Sequence, residues 1–225
     1  MVGSNAIAGS GSSTGLWYSS DSCVTWTQSL SVGTTTLNFN SVFMLSTKTI
    51  AGSSSNGLWY SSNSGQTYTL PIINISFKSL YSIGSTAIAG SSSATGLWYS
   101  SNSGQTWTQT VPISNFNSVF MVGTNAIAGS TSNGLWYSSN SGVSWAKFGT
   151  GTITYNSVFM VGTNAIAGST TNGLWYSSDS GVNWSISNNI SNTFNSVFMI
   201  GTRAIAGSTN GLWYSSGSGA TWRQS

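Results

Sequence analysis

The chain has 225 residues and a mass of 23.4 kDa, enough to bury a real core in one large all-β domain. Charge is nearly absent: five Lys and Arg, two Asp (Asp21 and Asp179), and no Glu or His, for a formal net charge of +3. That balance leaves most acid–base catalysis without its groups, offers no donor set for zinc, and gives no electrostatic footprint for nucleic acid.

In chain order the sequence is a repeat. Ile-Ala-Gly-Ser begins at Ile7, Ile50, Ile88, Ile127, Ile166 and Ile205. Gly-Leu-Trp-Tyr-Ser-Ser follows, unchanged, from Gly15, Gly57, Gly96, Gly134, Gly173 and Gly211. A turn then leads to an aromatic at Trp26, Tyr68, Trp107, Trp145, Trp184 and Trp222. Asn-Ser-Val-Phe precedes the later units from Asn40, Asn117, Asn156 and Asn195, with the variant Lys78-Ser79-Leu80-Tyr81 in one copy. The repeats run approximately 1–30, 31–70, 71–110, 111–148, 149–187 and 188–225, in a single domain over 1–225.

The fourth copy predicts four strands. Asn117 to Val122 is the first, Gly123-Thr124-Asn125 turns, and Ala126 to Ala128 is a short second strand of small residues. Leu135-Trp136-Tyr137 is the third, Asn140-Ser141-Gly142 turns, and Val143-Ser144-Trp145 is the fourth. Short runs of β-branched and aromatic residues between Gly, Ser and Asn read as antiparallel β structure, with no helical period. Four strands per repeat of about 40 residues is the arithmetic of a propeller blade, so the expected fold is an all-β, six-bladed β-propeller. A β-solenoid fits less well, because its coils repeat at shorter periods.

The turn after the third strand is the most specific feature. Its copies include Ser19-Ser20-Asp21-Ser22-Cys23-Val24-Thr25-Trp26, Ser61 to Tyr68, and Ser100 to Trp107. These resemble the Asp-box, or BNR repeat, of pattern S-x-D-x-G-x-T-W. That motif recurs in sialidases, sortilin-type propellers and the photosystem II assembly-factor family. The resemblance spans all six repeats. It implies structural turns at Asp21, Asn63, Asn102, Asn140 and Asp179, away from any active site. A short acceptor at the third position can bond the amides of its own turn, and Gly at the fifth can take a positive φ. Gly217 replaces the acceptor in the last copy and Cys23 replaces the Gly in the first. Both turns are expected to be looser.

The composition argues against a sialidase. The family's carboxylate clamp needs three Arg, and this chain has Arg203 and Arg223 alone. It has no Glu for a nucleophile pair, no opposed carboxyls for glycoside hydrolysis, and no His for a triad. The expectation is a non-enzymatic module without cofactor or metal. The leading reading is multivalent carbohydrate recognition between blades, by Trp17, Trp59, Trp98, Trp136, Trp175 and Trp213 with Tyr18, Tyr60, Tyr99, Tyr137, Tyr176 and Tyr214. The alternative is a structural or protein-interaction scaffold in a larger extracellular or virion assembly, in which those Trp are core. Exposure of the Trp rings separates the two. Lys48, Lys78, Lys147, Arg203 and Arg223 are scattered, so no nucleic-acid partner is expected.

No apolar run reaches the length of a membrane span and no signal peptide is visible, so no membrane insertion is expected. Cys23 is alone and cannot form an internal disulfide. Uncharged Ser/Thr/Asn surfaces are common on extracellular and virion proteins. The N-x-[ST] sequons at Asn74, Asn183 and Asn189 carry little weight in so polar a chain. Met1 to Ala6 aligns with Met121 to Ala126, so the first repeat is expected to lack most of its first strand. A fragment or a designed boundary would account for that, with the ring closing through the first and last repeats.

Overall fold

A computed structural model describes residues 1–11, 14–30, 37–72, 74–149, 151–188 and 192–225. The sequon at Asn189 and the first residues of the second repeat lie outside the described residues. Six antiparallel sheets form, and the described residues contain no helix. Each sheet is a meander in which sequence neighbours pair. Sheet 1 has three strands, Ala6–Gly9, Leu16–Ser19 and Thr27–Gln28. Sheets 2 to 6 have four strands each, their first strands being Phe39–Leu45, Phe77–Ile83, Phe116–Val122, Tyr155–Val161 and Phe194–Ile200. These are the blades of a six-bladed β-propeller, and among the described residues blade 1 has three strands where the others have four.

The chain divides into two compact units, Met1–Pro112 with blades 1 to 3 and Ile113–Ser225 with blades 4 to 6. In the first, one core gathers Leu16, Phe39 and Trp59 and another Leu58, Phe77 and Leu80. In the second the cores gather Leu135, Tyr155 and Met160, and Leu174, Phe194 and Met199. Each core thus joins a third-strand Leu of one blade to the first strand of the next.

Blade 4 shows where the sequence expectation moves. Its second strand is Asn125–Ser130, longer than expected, because Gly129 and Ser130 stay paired to Ser118 and Phe116. A bulge at Asn117 breaks the first strand's register. The fourth strand is Ala146–Phe148, not Val143 to Trp145. Trp145 instead closes the turn, its indole N–H donating to the Gly142 carbonyl at 3.0 Å.

Glycine is required in the second strand by close approach. A Cβ on Gly52 would meet the Phe77 Cβ at 3.0 Å, and one on Gly168 would meet the Phe194 Cβ at 2.9 Å. Phe39, Phe77, Tyr155 and Phe194, at the heads of their first strands, therefore press directly on the preceding blade's backbone.

Candidate functional site

The repeated hairpin after the third strand carries the same hydrogen-bond pattern from blade to blade. In blade 4, Ser138 is buried and its hydroxyl accepts from the amides of Asn140 (3.2 Å) and Gly142 (2.9 Å). It donates to Asn140 Oδ1 at 2.9 Å. That oxygen also accepts from the Ser144 amide at 2.9 Å, while Asn140 Nδ2 donates to Ser144 Oγ at 2.8 Å. Asn63 and Asn102 hold Thr67 and Thr106 in the same way. The fifth-position Gly takes φ of 88° at Gly142, as the sequence predicts. The fourth-position Ser141 is also left-handed, at 63°, which the sequence reading missed. The first-position Ser was missed too. Its conservation of spacing to the Asx, two residues on, is the signal that could have found it.

One looseness expectation fails and the other holds. At Cys23 the turn keeps its bonds: the Cys23 amide donates to Ser19 Oγ at 3.0 Å, and the Thr25 amide and hydroxyl donate to Asp21 at 2.9 and 2.6 Å. Cys23 accepts a φ of 72° to do so. At Gly217 the side-chain acceptor and its bonds are gone, while the Ser215 hydroxyl, the backbone bonds from Ala220 to Gly217 and from Ser218 to Thr202, and the Trp222 indole bond to the Gly219 carbonyl remain.

Both carboxylates are committed to these turns. The Thr25 side chain, the Thr25 amide and the Ser19 hydroxyl hold Asp21 down at about 2. Slight desolvation raises Asp179, but hydrogen bonds from the Asn183 amide and side chain and from Ser177 outweigh it and leave the group lowered. No group of three or more His, Cys, Asp or Glu that could hold a metal exists among the described residues. No helix there is long and apolar enough to cross a membrane. Of the sequons, Asn74 is exposed, whereas Asn183 donates its amide nitrogen to Asp179 at 2.7 Å.

The structure does not bring the third-strand Trp rings to an open surface. Trp59, Trp136 and Trp213 are buried, and Trp17, Trp98 and Trp175 are half-buried. In blades 2 to 6 the ring stands edge-on to the aromatic heading its own blade's first strand. Phe116 and Trp136, for example, have centroids 6.0 Å apart at 75°. Trp136 Nε1 donates to the Asn133 carbonyl at 3.1 Å and Trp98 Nε1 to the Thr95 carbonyl at 3.2 Å. The Nε1 atoms of Trp59, Trp175 and Trp213 are buried without a partner. Tyr18, Tyr60, Tyr99, Tyr137 and Tyr176 are half-buried and Tyr214 is exposed. Gln105 Nε2 donates to the Tyr60 hydroxyl at 3.2 Å across two blades.

One apolar cleft involves these candidates. It has a volume of about 160 Å³ and lies between blades 4 and 5, with Phe148, Ile153, Tyr155 and Trp175 among its walls. Its lining Gly134, Gly149 and Gly151 keep it open. A more polar hollow of about 230 Å³ lies beside Tyr214, Thr221 and Arg223 on blade 6.

No known family and no curated protein matches this sequence. Solved structures do match. YCF48 bound to D1 peptide superposes with a TM-score of 0.68 at 14% identity, over 100% of this chain and 86% of that one. A GH74 xyloglucanase from Xanthomonas campestris gives 0.69 at 12%, over 97% of this chain and 45% of that one. An ancestral GH74 enzyme gives 0.68 at 18%, over 92% and 34%. The chain therefore spans well under two thirds of either GH74 enzyme. At these identities the likeness is one of fold, and that fold is the β-propeller.

Proposed function

We propose that this chain is a non-catalytic interaction scaffold whose hairpins are Asp-box turns and whose partners are proteins. The observation that carries this reading is the orientation of the six third-strand Trp, packed edge-on inside their own blades or half-covered. Rings spent as core are not free to stack on a sugar. The commitment of Asp21 and Asp179 to hairpin bonds, in a chain without Glu or His, supports the absence of catalysis. A peptide-bound propeller among the similar structures is in keeping with a protein partner.

Carbohydrate recognition is the second reading, and the cleft beside Trp175 favours it. Its size suits one sugar ring, and Trp175 and Tyr155 offer apolar faces to its C–H groups. A glycan array, followed by titration of Trp emission, tests both readings. A blank array is expected. Saturable binding that is lost on Trp175→Ala would overturn the protein-scaffold reading in favour of the glycan one. Release of reducing sugar from xyloglucan would overturn the non-catalytic part.

A further inference from the structure

The cleft between blades 4 and 5 lies wholly within the second unit. One of its walls departs from the repeat. At the head of the first strand, blades 2, 3, 4 and 6 carry Phe39, Phe77, Phe116 and Phe194, and blade 5 alone carries a Tyr, Tyr155. Tyr155 lines the cleft and is 3% exposed. Its hydroxyl has no hydrogen-bond partner among the described residues, and burial alone pushes its pKa up. Tyr68 is equally buried, but its hydroxyl accepts from the Thr49 hydroxyl at 3.0 Å.

A second idle donor belongs to the same cleft. Trp175 is one of its walls, and the Trp175 Nε1 is buried without a partner. Trp98 and Trp136 instead donate to the carbonyl three residues earlier. Buried polar hydrogens are nearly always bonded, so two unbonded ones at one cleft point to an acceptor that the chain does not supply. The remaining walls set what surrounds that acceptor. Phe148 and Ile153 are apolar, and no lining residue carries a charge. A Cβ on Gly151 would meet nothing nearer than Ile153 at 3.7 Å, so there is room for a side chain that the sequence does not put there. The volume of about 160 Å³ is that of an apolar cavity able to take one benzene ring.

We propose that this cleft is a binding site for a small uncharged molecule of one apolar ring bearing a carbonyl-type oxygen, which accepts from the Tyr155 hydroxyl with the Trp175 indole N–H as second donor. The ring lies against Phe148 and Ile153. The site is additional to the scaffold role and does not depend on it.

Acetophenone and ethylbenzene test this, because they share a ring and nearly a shape, and only the ketone has an acceptor. Each is titrated into the full chain and followed by the indole N–H signals in proton–nitrogen NMR, with Trp175→Phe identifying the Trp175 signal. Acetophenone should shift that signal saturably and bind at least about fivefold more tightly than ethylbenzene. Tyr155→Phe, which installs the residue of the other blades, should weaken acetophenone by about the same factor and leave ethylbenzene unchanged. Gly151→Leu fills the cleft and should abolish binding of both. The other indole signals report that each variant is folded, and Tyr155→Phe decides the matter if Gly151→Leu is not. No saturable shift, equal affinity for the two molecules, or acetophenone binding that ignores Tyr155→Phe would each overturn the proposal. A shift that survives Gly151→Leu in a folded chain would overturn it too, by placing the ligand elsewhere. Methyl glucoside shifting the Trp175 signal where acetophenone does not would make a sugar the occupant.

Discussion

Ser138 and Gly181 show how much of the fold rests on single small side chains. The Ser138 hydroxyl is buried and satisfies two amides of its turn. Ser138→Ala leaves the buried Gly142 amide without a partner, so it should cost about 1–3 kcal/mol in urea unfolding. Asn140→Ala, at a more exposed position, should cost less. Glycine substitutions should separate by surroundings and not by backbone alone. Gly123 has φ of 59° with open space around it, so Gly123→Ala should cost about 1 kcal/mol. Gly181 has φ of 88° and a Cβ there would stand 2.5 Å from Ile127 Cγ2, so Gly181→Ala should cost about 2–4 kcal/mol. Equal losses in the two variants would mean that the blade contact relaxes around the added methyl. The hairpin Asx and Gly were legible in the sequence because their roles depend on local backbone chemistry. The burial of Ser138 was not, because a Ser in a Ser-rich chain carries no mark of what covers it.

At the scale of the strand, the polar residues of Asn-Ser-Val-Phe turn out to be joints between blades. The bulge after Phe116 and Tyr155 turns Asn117 and Asn156 out of the ladder, while Ser118 and Ser157 stay paired with Gly129 and Gly168. Their side chains then bond the next first strand's backbone. Val197 gives its amide to Ser157 Oγ at 3.2 Å. Ser157→Ala should therefore speed hydrogen exchange at the Val197 amide while leaving amides of blade 5's third strand slow. Unchanged exchange at Val197 would show that the bond contributes nothing to holding the strands together. The repeat predicted the strands and their order, since both follow from short-range pattern. It missed the end of the fourth strand, because Trp145 has strand propensity but a stronger local use as the cap on Gly142. It offered the third-strand Trp both as a ligand row and as core, because an aromatic that recurs at each blade suits either role. The partner ring, such as Phe116 beside Trp136, is information that only the fold supplies.

For the whole molecule, the scarcity of titratable groups makes a sharp statement about pH. There is no His, the side chain that ordinarily changes its charge between about pH 5 and 8. Stability is expected to be flat there. On the acid side, Asp21 is held at about 2 in the fold against 3.8 for the free group, and Asp179 is also lowered. A depressed folded pKa means the unfolded chain takes up the proton first. The stabilisation is thus complete above about pH 4 and is lost as pH falls through the folded values. On the alkaline side, burial pushes Tyr68 up to about 12 from 10.0 against the opposing bond from Thr49, and burial raises Tyr155 as well. Here the unfolded chain releases the proton first, so stability is complete below pH 10 and falls above it. Thermal midpoints measured from pH 2 to 11 should form a plateau with two shoulders. Asp21→Asn and Asp179→Asn together should flatten the acid shoulder, since Asn63, Asn102 and Asn140 already hold the same turn without a charge. A shoulder that persists in that double variant would place the acid sensitivity outside the hairpins. A midpoint that slopes between pH 5 and 7 would require a titrating group that this sequence does not contain.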